Sequence, residues 1–265
     1  MDLRDLERSG FDARLTDALE ARPTLRLRVA FALALAHLGA SSLTWNAVAP
    51  LLRHVLPRHV GTRLGREGIS SIYRRFWGTA DRFGLLTVDA SALDVLRDEP
   101  GGLIIAANHP TMLDAMIIVG RLPRGVCIMK AELLGNPFLG AASRLARYIA
   151  NDDGPAMIRK AVRTLREGAP LVLFPEGTRT VRWPVNAFLP SIALIAKMAD
   201  VPIQTVIIET DSPYLTKGWP LLRPPPRPFH VRARLGERFA PDHDHRALLQ
   251  RLERSFVREL APPPR

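Results

Sequence analysis

The 265-residue chain has little cysteine, lysine or acidic residue content. Cys127 is its single cysteine, so no disulfide can form within the chain, and a reducing compartment fits. Only four of its 37 basic residues are lysines, and 26 acidic residues leave a net charge of +11. Two explanations stay open: a codon bias toward arginine, and attraction to anionic lipid headgroups or phosphorylated substrates.

Several sequence signatures are also missing. The chain has no zinc-finger spacing, RNA-binding signature or basic run interleaved with aromatics, so nucleic acid is not an expected partner. It has no Walker-type loop or dinucleotide fingerprint. It lacks a Gly-x-Ser-x-Gly elbow and Cys127 falls within a predicted strand, so a covalent serine or cysteine route lacks support. No metal site is predicted, and His243-Asp244-His245 reads as a polar loop before the last helix.

An uncharged apolar stretch marks the N-terminal part of the chain. Val29 to Leu52 contains no Asp, Glu, Lys or Arg, although it includes His37, and Arg28 and Arg53 flank it. The stretch is long enough to cross a bilayer, although Ser, Thr and Asn residues make it only weakly hydrophobic. A buried or hairpin helix pair, an interfacial helix on one leaflet and a full span remain open. Charged residues precede the stretch, which argues against a secretory signal, and we expect residues 1–100 to be a helical, membrane-docking elaboration.

From residue 101 onward, short apolar runs alternate with helical patterns. The runs predict strands at Leu103–Ala107, Val126–Met129, Leu171–Phe174, Val201–Ile208 and His230–Leu235. Apolar residues at helical spacing predict helices over 157–166, 187–199 and 246–258. This alternation predicts an α/β domain over residues 101–260, with a central, mostly parallel sheet flanked by helices.

The first candidate motif is Asn108-His109-Pro110-Thr111-Met112-Leu113-Asp114. It follows the first strand of the predicted domain, and Pro110 suits the first turn of a helix. A carboxylate at Asp114 can hold the imidazole of His109 by one ring nitrogen and leave the other free as a base. A capping histidine beside an unrelated acid is the simpler alternative.

The second motif is Phe174-Pro175-Glu176-Gly177-Thr178-Arg179, directly after the third strand. In parallel sheets, ligands bind beyond the carboxyl ends of the strands, so both motifs are predicted to face one crevice. We expect exposed polar groups there. Gly177 lets backbone amides approach a substrate, and Arg179 can grip a phosphate with its fork of donors. The alternative is an ordinary strand-to-loop turn.

Together these motifs resemble those of the glycerolipid acyltransferase family, which includes lysophosphatidic acid acyltransferases. The resemblance covers about residues 100 to 240, and the run Lys130-Ala131-Glu132-Leu133 resembles the family's basic stretch. Tyr148 to Asp153 and Tyr214 to Gly218 look more like a bacterial subgroup of aryl-polyene and related pigment-lipid pathways. In the family an arginine that helps to bind a glycerol phosphate occupies the position of Asn151, which cannot supply that charge.

The resemblance implies an O-acyltransferase that needs no cofactor. It would move an acyl group from acyl-CoA or an acyl carrier protein to a hydroxyl of a lysolipid-like acceptor. His109 and Asp114 would be catalytic, and the substrate-binding residues would be Asn108, Lys130, Glu176, Gly177, Thr178 and Arg179. The expected location is the cytoplasmic face of the inner membrane, as a peripheral or monotopic protein on an anionic surface. A non-catalytic lipid carrier on the same fold and a thioesterase are the alternatives.

Overall fold

A computed structural model describes residues 15–152 and 154–261 of the chain. A helical segment at residues 15–20 precedes two long helices, α1 (Leu25–Val55) and α2 (Arg58–Arg82). The stretch without charged side chains therefore forms part of one continuous helix, and the turn to the next helix comes at Leu56 and Pro57. The helical prediction also covered residues 1–14, which lie outside the described residues.

Seven strands form one sheet: β1 (Leu86–Asp89), β2 (Ile104–Ala107), β3 (Val126–Met129), β4 (Ile149–Ala150), β5 (Leu171–Leu173), β6 (Ile203–Thr210) and β7 (Phe229–Phe239). Their order is β1-β7-β6-β2-β5-β3-β4. The neighbours from β6 to β4 are parallel, whereas β7 runs antiparallel to β6 and parallel to β1. The α/β prediction is confirmed, and the sheet is mixed because two strands at one edge run in the opposite direction.

Five shorter helices complete the domain: α3 (Asp114–Arg121), α4 (Gly140–Ala146), α5 (Gly154–Arg166), α6 (Ser191–Ala199) and α7 (His245–Leu260). All five predicted strands and all three predicted helices are present, with ends shifted by a few residues. The prediction that residues 1–100 are helical is wrong for Leu86–Asp89, which pairs with Phe229–Arg232 of β7 as part of the main sheet. Asp244 caps α7 by accepting from the amides of Arg246 and Ala247, so the loop prediction holds for His243 and Asp244, whereas His245 is the first residue of the helix.

The core lies on both faces of the sheet. Ile105 and Ala107 of β2 point to a cluster that includes side chains of α1, α2 and α3. Ile104 and Ala106 point to the opposite cluster, formed with α5, α6 and α7. Strand side chains alternate between faces, so a short run of four apolar residues serves both layers. Burial on both faces fixes β2 and thus the loop that follows it.

Candidate active site

The two predicted motifs lie side by side because β2 and β5 are parallel neighbours. The His109 loop follows β2, and the loop of Phe174 to Arg179 follows β5. Both are therefore at the carboxyl ends of the strands, as predicted. Pro110 is not in a helix, however, since α3 begins only at Asp114. The reason is local: the Asp114 carboxylate accepts from the Thr111 amide at 2.8 Å and from the Thr111 hydroxyl at 2.6 Å, which closes a turn before the helix.

His109 and Asp114 are in direct contact. Nδ1 of His109 lies 2.8 Å from Oδ2 of Asp114, whose side chain is fully buried. A carboxylate acceptor on Nδ1 favours the tautomer that carries its proton there and leaves a lone pair on Nε2. Nε2 has no hydrogen-bond partner among the described residues. The ring stacks on Phe174 at 4.1 Å between centroids, and 18% of the His109 side chain is exposed. The imidazole is thus held in place with one nitrogen available.

The carboxylate of Glu176 joins the two loops through hydrogen bonds. Its Oε1 accepts from the His109 amide at 2.9 Å and from the Thr180 hydroxyl at 2.7 Å, and its Oε2 accepts from the Asn186 amide at 2.8 Å. The Thr180 amide also donates to the His109 carbonyl. Burial raises the pKa of Glu176, although these three hydrogen bonds lower it in part. The prediction of exposed polar groups in this turn is wrong for Glu176. Its side chain is 5% exposed, because its carboxylate accepts hydrogen bonds from within the protein.

The turn of the second loop depends on Gly177. Its φ is +67°, in the left-handed region that favours glycine, and an added Cβ would lie 2.5 Å from Leu189 Cδ1, so the exposed Leu189 side chain would also have to move. The Gly177 amide donates to the Phe174 carbonyl and is not free to bind a substrate. The amides of Thr178 and Arg179, in contrast, make no hydrogen bond within the described part of the chain. These two amides are the available donors of the turn.

Arg179 connects a third loop, which contains Leu215 and Thr216, to the site. Its Nη1 donates to the carbonyls of Leu215 and Thr216, both at 2.9 Å, and the Leu215 carbonyl also accepts from the Met112 amide. Leu215 has a φ of +57°. Sequence reasoning gave this segment no role in the site, because main-chain carbonyls carry no residue signature. Nε and Nη2 of Arg179 have no partner among the described residues, so its predicted phosphate contact stays a prediction.

Two further residues, Asn108 and Lys130, are predicted to bind substrate. The Asn108 side chain is buried, donates to the Ile208 carbonyl at 2.8 Å and accepts from the Ile208 amide at 2.7 Å. These contacts extend the pairing of β2 with β6 by one residue. Asn108 therefore supports the start of the loop that carries His109. Lys130 is exposed after β3, which is two strands from β2. Substrate binding by both residues stays a prediction.

Comparison with known proteins gives a consistent assignment. Residues 89–209 match the family model described as Acyltransferase. The 1-acyl-sn-glycerol-3-phosphate acyltransferase of Limnanthes alba is 31% identical over 130 residues, which is 46% of either chain. That of Pseudomonas aeruginosa is 24% identical over 190 residues, or 69% of this chain and 71% of the relative. The matched part thus spans about half the length of the Limnanthes relative.

The fold has a counterpart among solved structures. The crystal structure of the 1-acyl-sn-glycerophosphate (LPA) acyltransferase, PlsC, from Thermotoga maritima matches with a TM-score of 0.66 and 21% identity, covering 88% of this chain and 93% of that one. The fold is thus an α/β fold like that of this acyltransferase, and the residues that match the family model include both motifs. Over residues 89–209 the chain is similar to the Acyltransferase family model, and the relatives it resembles are 1-acyl-sn-glycerol-3-phosphate acyltransferases. The narrower resemblance to the aryl-polyene subgroup stays a prediction.

Proposed function

We propose that the protein transfers an acyl group from a thioester, on coenzyme A or an acyl carrier protein, to a hydroxyl of a lysolipid-like acceptor. The 2.8 Å contact between His109 and the buried Asp114, with Nε2 of His109 free, carries the proposal. The family match and the names of the relatives support it.

In this mechanism Nε2 of His109 removes the acceptor's hydroxyl proton as its oxygen attacks the thioester carbonyl. The tetrahedral intermediate then collapses, the C–S bond breaks, and His109 returns the proton to the leaving thiolate. Asp114 orients the ring and stabilises the imidazolium. General-base catalysis of this kind contributes roughly 10² to 10⁴ in rate. The amides of Thr178 and Arg179 would donate to the oxyanion.

The remaining loop contacts would pre-organise this site. Glu176 fixes the spacing between the base and the turn, and Arg179 ties the third loop to both. A base and oxyanion donors gain their effect from fixed positions, so these buried contacts are useful for the reaction even without touching substrate. Arg179 would still offer its two remaining nitrogens, Nε and Nη2, to an anionic substrate group.

We further propose that α1 docks on the cytoplasmic face of the inner membrane. The helix is long and apolar enough to cross a membrane, although a soluble core helix or a signal sequence passes the same test. Only 28% of its most apolar window is buried, and several of its side chains point outward: Leu25, Val29, Leu33, Leu43, Leu51 and Val55. An exposed apolar face on a long helix fits insertion into one leaflet.

Product analysis tests the reaction. Purified protein would be incubated with labelled acyl-CoA or acyl carrier protein and a panel of lysophospholipids, glycerol lipids and lyso-amino-acid lipids, with mass spectrometry of the products. A new ester supports acyl transfer and names the acceptor class. Free fatty acid without ester would establish a thioesterase instead. Bound lipid with intact substrates would favour the carrier.

A variant of Asn151, which is exposed at the end of β4, tests whether this position selects the acceptor by its charge. Its amide donates to the Met129 carbonyl, so an arginine here would keep the backbone pairing and add a guanidinium beside Lys130. We expect Asn151→Arg to raise kcat/KM for lysophosphatidic acid relative to an uncharged lysolipid, by roughly tenfold for one charge-assisted contact. An unchanged ratio would mean that this position does not select the acceptor.

A further inference from the structure

A large groove of the described structure lies away from His109. It has a volume of about 1310 Å³ and lies between the start of α2, the segment from α4 to β4, and α5. β4 is the edge strand and is three strands from β2, which corresponds to roughly 14 Å across the sheet. A ligand bound there would not touch the reacting atoms by itself. The groove is therefore a second site.

Positive charge dominates this groove. Nine arginine or lysine side chains line it, against three acidic ones, Glu67, Asp152 and Glu167. This excess is more than half of the chain's net charge of +11. A codon bias would spread arginines over the surface, whereas these converge on one concave region. The concentration calls for an anionic partner.

The cations of the groove are poorly neutralised within the protein. Among the described residues, the one ion pair they form is Arg63 with Glu67, at 3.9 Å and exposed. Arg66 instead donates to the carbonyls of Ala146 and Arg124, which fixes its guanidinium. Burial lowers the pKa of Arg66, and the neighbouring charges of Arg147 and Arg124 lower it further. Arginine nevertheless stays protonated, so the cluster holds unbalanced positive charge.

One residue that borders the groove has a buried polar group. The hydroxyl of Tyr148 is buried and makes no hydrogen bond within the described residues, and Tyr148 lines the groove. A buried hydroxyl without a partner is rare and costly, since it loses its bonds to water. The hydroxyl itself is closed off from the open groove, so the arginine cluster, and not Tyr148, carries the inference.

We infer that this groove, centred on Arg58, Arg66, Arg147 and Arg163, binds a phosphate group of a ligand remote from the reacting centre. Arginine's planar fork matches phosphate oxygens, and eight of the nine cationic side chains that line the groove are arginines. Two sources of the phosphate fit: the nucleotide end of coenzyme A, and the headgroup of an anionic lipid. The second is within reach of a membrane, because Arg53 of α1 also lines the groove next to the exposed Val55.

The test compares two double variants of the full chain with equal loss of charge. Arg58→Gln/Arg163→Gln changes one groove residue on α2 and one on α5. Arg75→Gln/Arg159→Gln changes one exposed arginine on each of the same helices, outside the groove. One arm measures binding of adenosine 3′,5′-bisphosphate by titration calorimetry. The other measures flotation with phosphatidylcholine vesicles, with and without phosphatidylglycerol.

We expect the groove pair to weaken binding at least about tenfold in one arm, and the control pair to have little effect. The affected arm identifies the source, and that binding should fall as salt rises. Equal effects of the two pairs in both arms would overturn the assignment. So would a wild-type protein that binds an acidic carrier protein but binds neither adenosine 3′,5′-bisphosphate nor the vesicles. If a double variant misfolds, Arg163→Gln against Arg159→Gln gives the same comparison. No thioester is used, so the result is independent of the proposed acyl transfer, and His109→Ala should bind normally.

Discussion

Glu176 holds His109, the candidate base, in a fixed position relative to the turn of Phe174 to Arg179. Three donors from two loops, His109, Thr180 and Asn186, converge on one buried carboxylate. Neutral glutamine has one acceptor oxygen in place of two, so it cannot satisfy all of them. The carboxylate therefore holds the two loops together, and its contact with substrate stays a prediction.

The raised pKa of Glu176 has a consequence for stability. Because the folded protein binds this proton more tightly than the unfolded chain, the carboxyl group contributes less stability as pH rises from its ordinary value near 4.5 through the raised folded value. We expect the free energy of unfolding of the wild type, relative to Glu176→Gln, to fall across that window. Urea unfolding at a series of pH values, followed by tryptophan fluorescence, measures it.

The control for this series is Glu132→Gln, a change at an exposed glutamate. Relative to that variant, the wild type should show no comparable change over the same window. A difference between wild type and Glu176→Gln that stays flat, or that grows with pH, would contradict the burial-driven shift.

At the scale of elements, the approach of α2 to α4 depends on a glycine. A Cβ at Gly65 would lie 2.7 Å from the Ala146 amide nitrogen, whereas one at Gly78 in the same helix would meet nothing within 4 Å. Backbone atoms cannot rotate away as a side chain would. The close contact therefore positions α4, and with it the segment that leads into β4.

Alanine at the two glycines should have opposite effects. We expect Gly65→Ala to lower the free energy of unfolding by about 1–3 kcal/mol through overpacking. Gly78→Ala should raise it by about 0.5–1 kcal/mol through better helix propensity. Chemical denaturation of both variants checks this. If Gly65→Ala were as stable as Gly78→Ala, the two helices would not be in contact as described.

The elements also show how far sequence reasoning reaches. Runs of buried residues such as Leu103–Ala107 predicted the central strands, because burial on both faces leaves a strong apolar signal. β4 was missed, since two residues, Ile149 and Ala150, carry no recognisable pattern. The contact of His109 with Asp114 was predicted from spacing and chemistry. The anchoring of Arg179 on the Leu215 and Thr216 carbonyls was not, because any residue supplies such an acceptor.

At the scale of the whole molecule, two separate features favour a membrane surface. The exposed apolar side chains of α1 provide an insertion face, and the arginine groove lies at the end of that helix. Together they would orient the domain on an anionic leaflet and bring a lipid acceptor to it. The charge and the apolar face can be tested independently.

Val55 and Val95 form a matched pair for the apolar face. They are 68% and 70% exposed, one on α1 and the other remote from it in sequence. We expect Val55→Ser to weaken binding to phosphatidylcholine vesicles by up to roughly tenfold, the value of burying one valine side chain. Val95→Ser should leave binding unchanged. Flotation assays compare them, and equal behaviour of the two variants would argue against docking through this end of α1.

The central claim is that His109 is the base of an acyl transfer. The most direct test is the rate of thioester-dependent ester formation by His109→Ala, with His243→Ala, a change at an exposed loop histidine, as the control. We expect a loss of roughly 10² to 10⁴ in kcat for the first variant and none for the second, with both folded by circular dichroism. Ester formation by His109→Ala at the wild-type rate would contradict the mechanism.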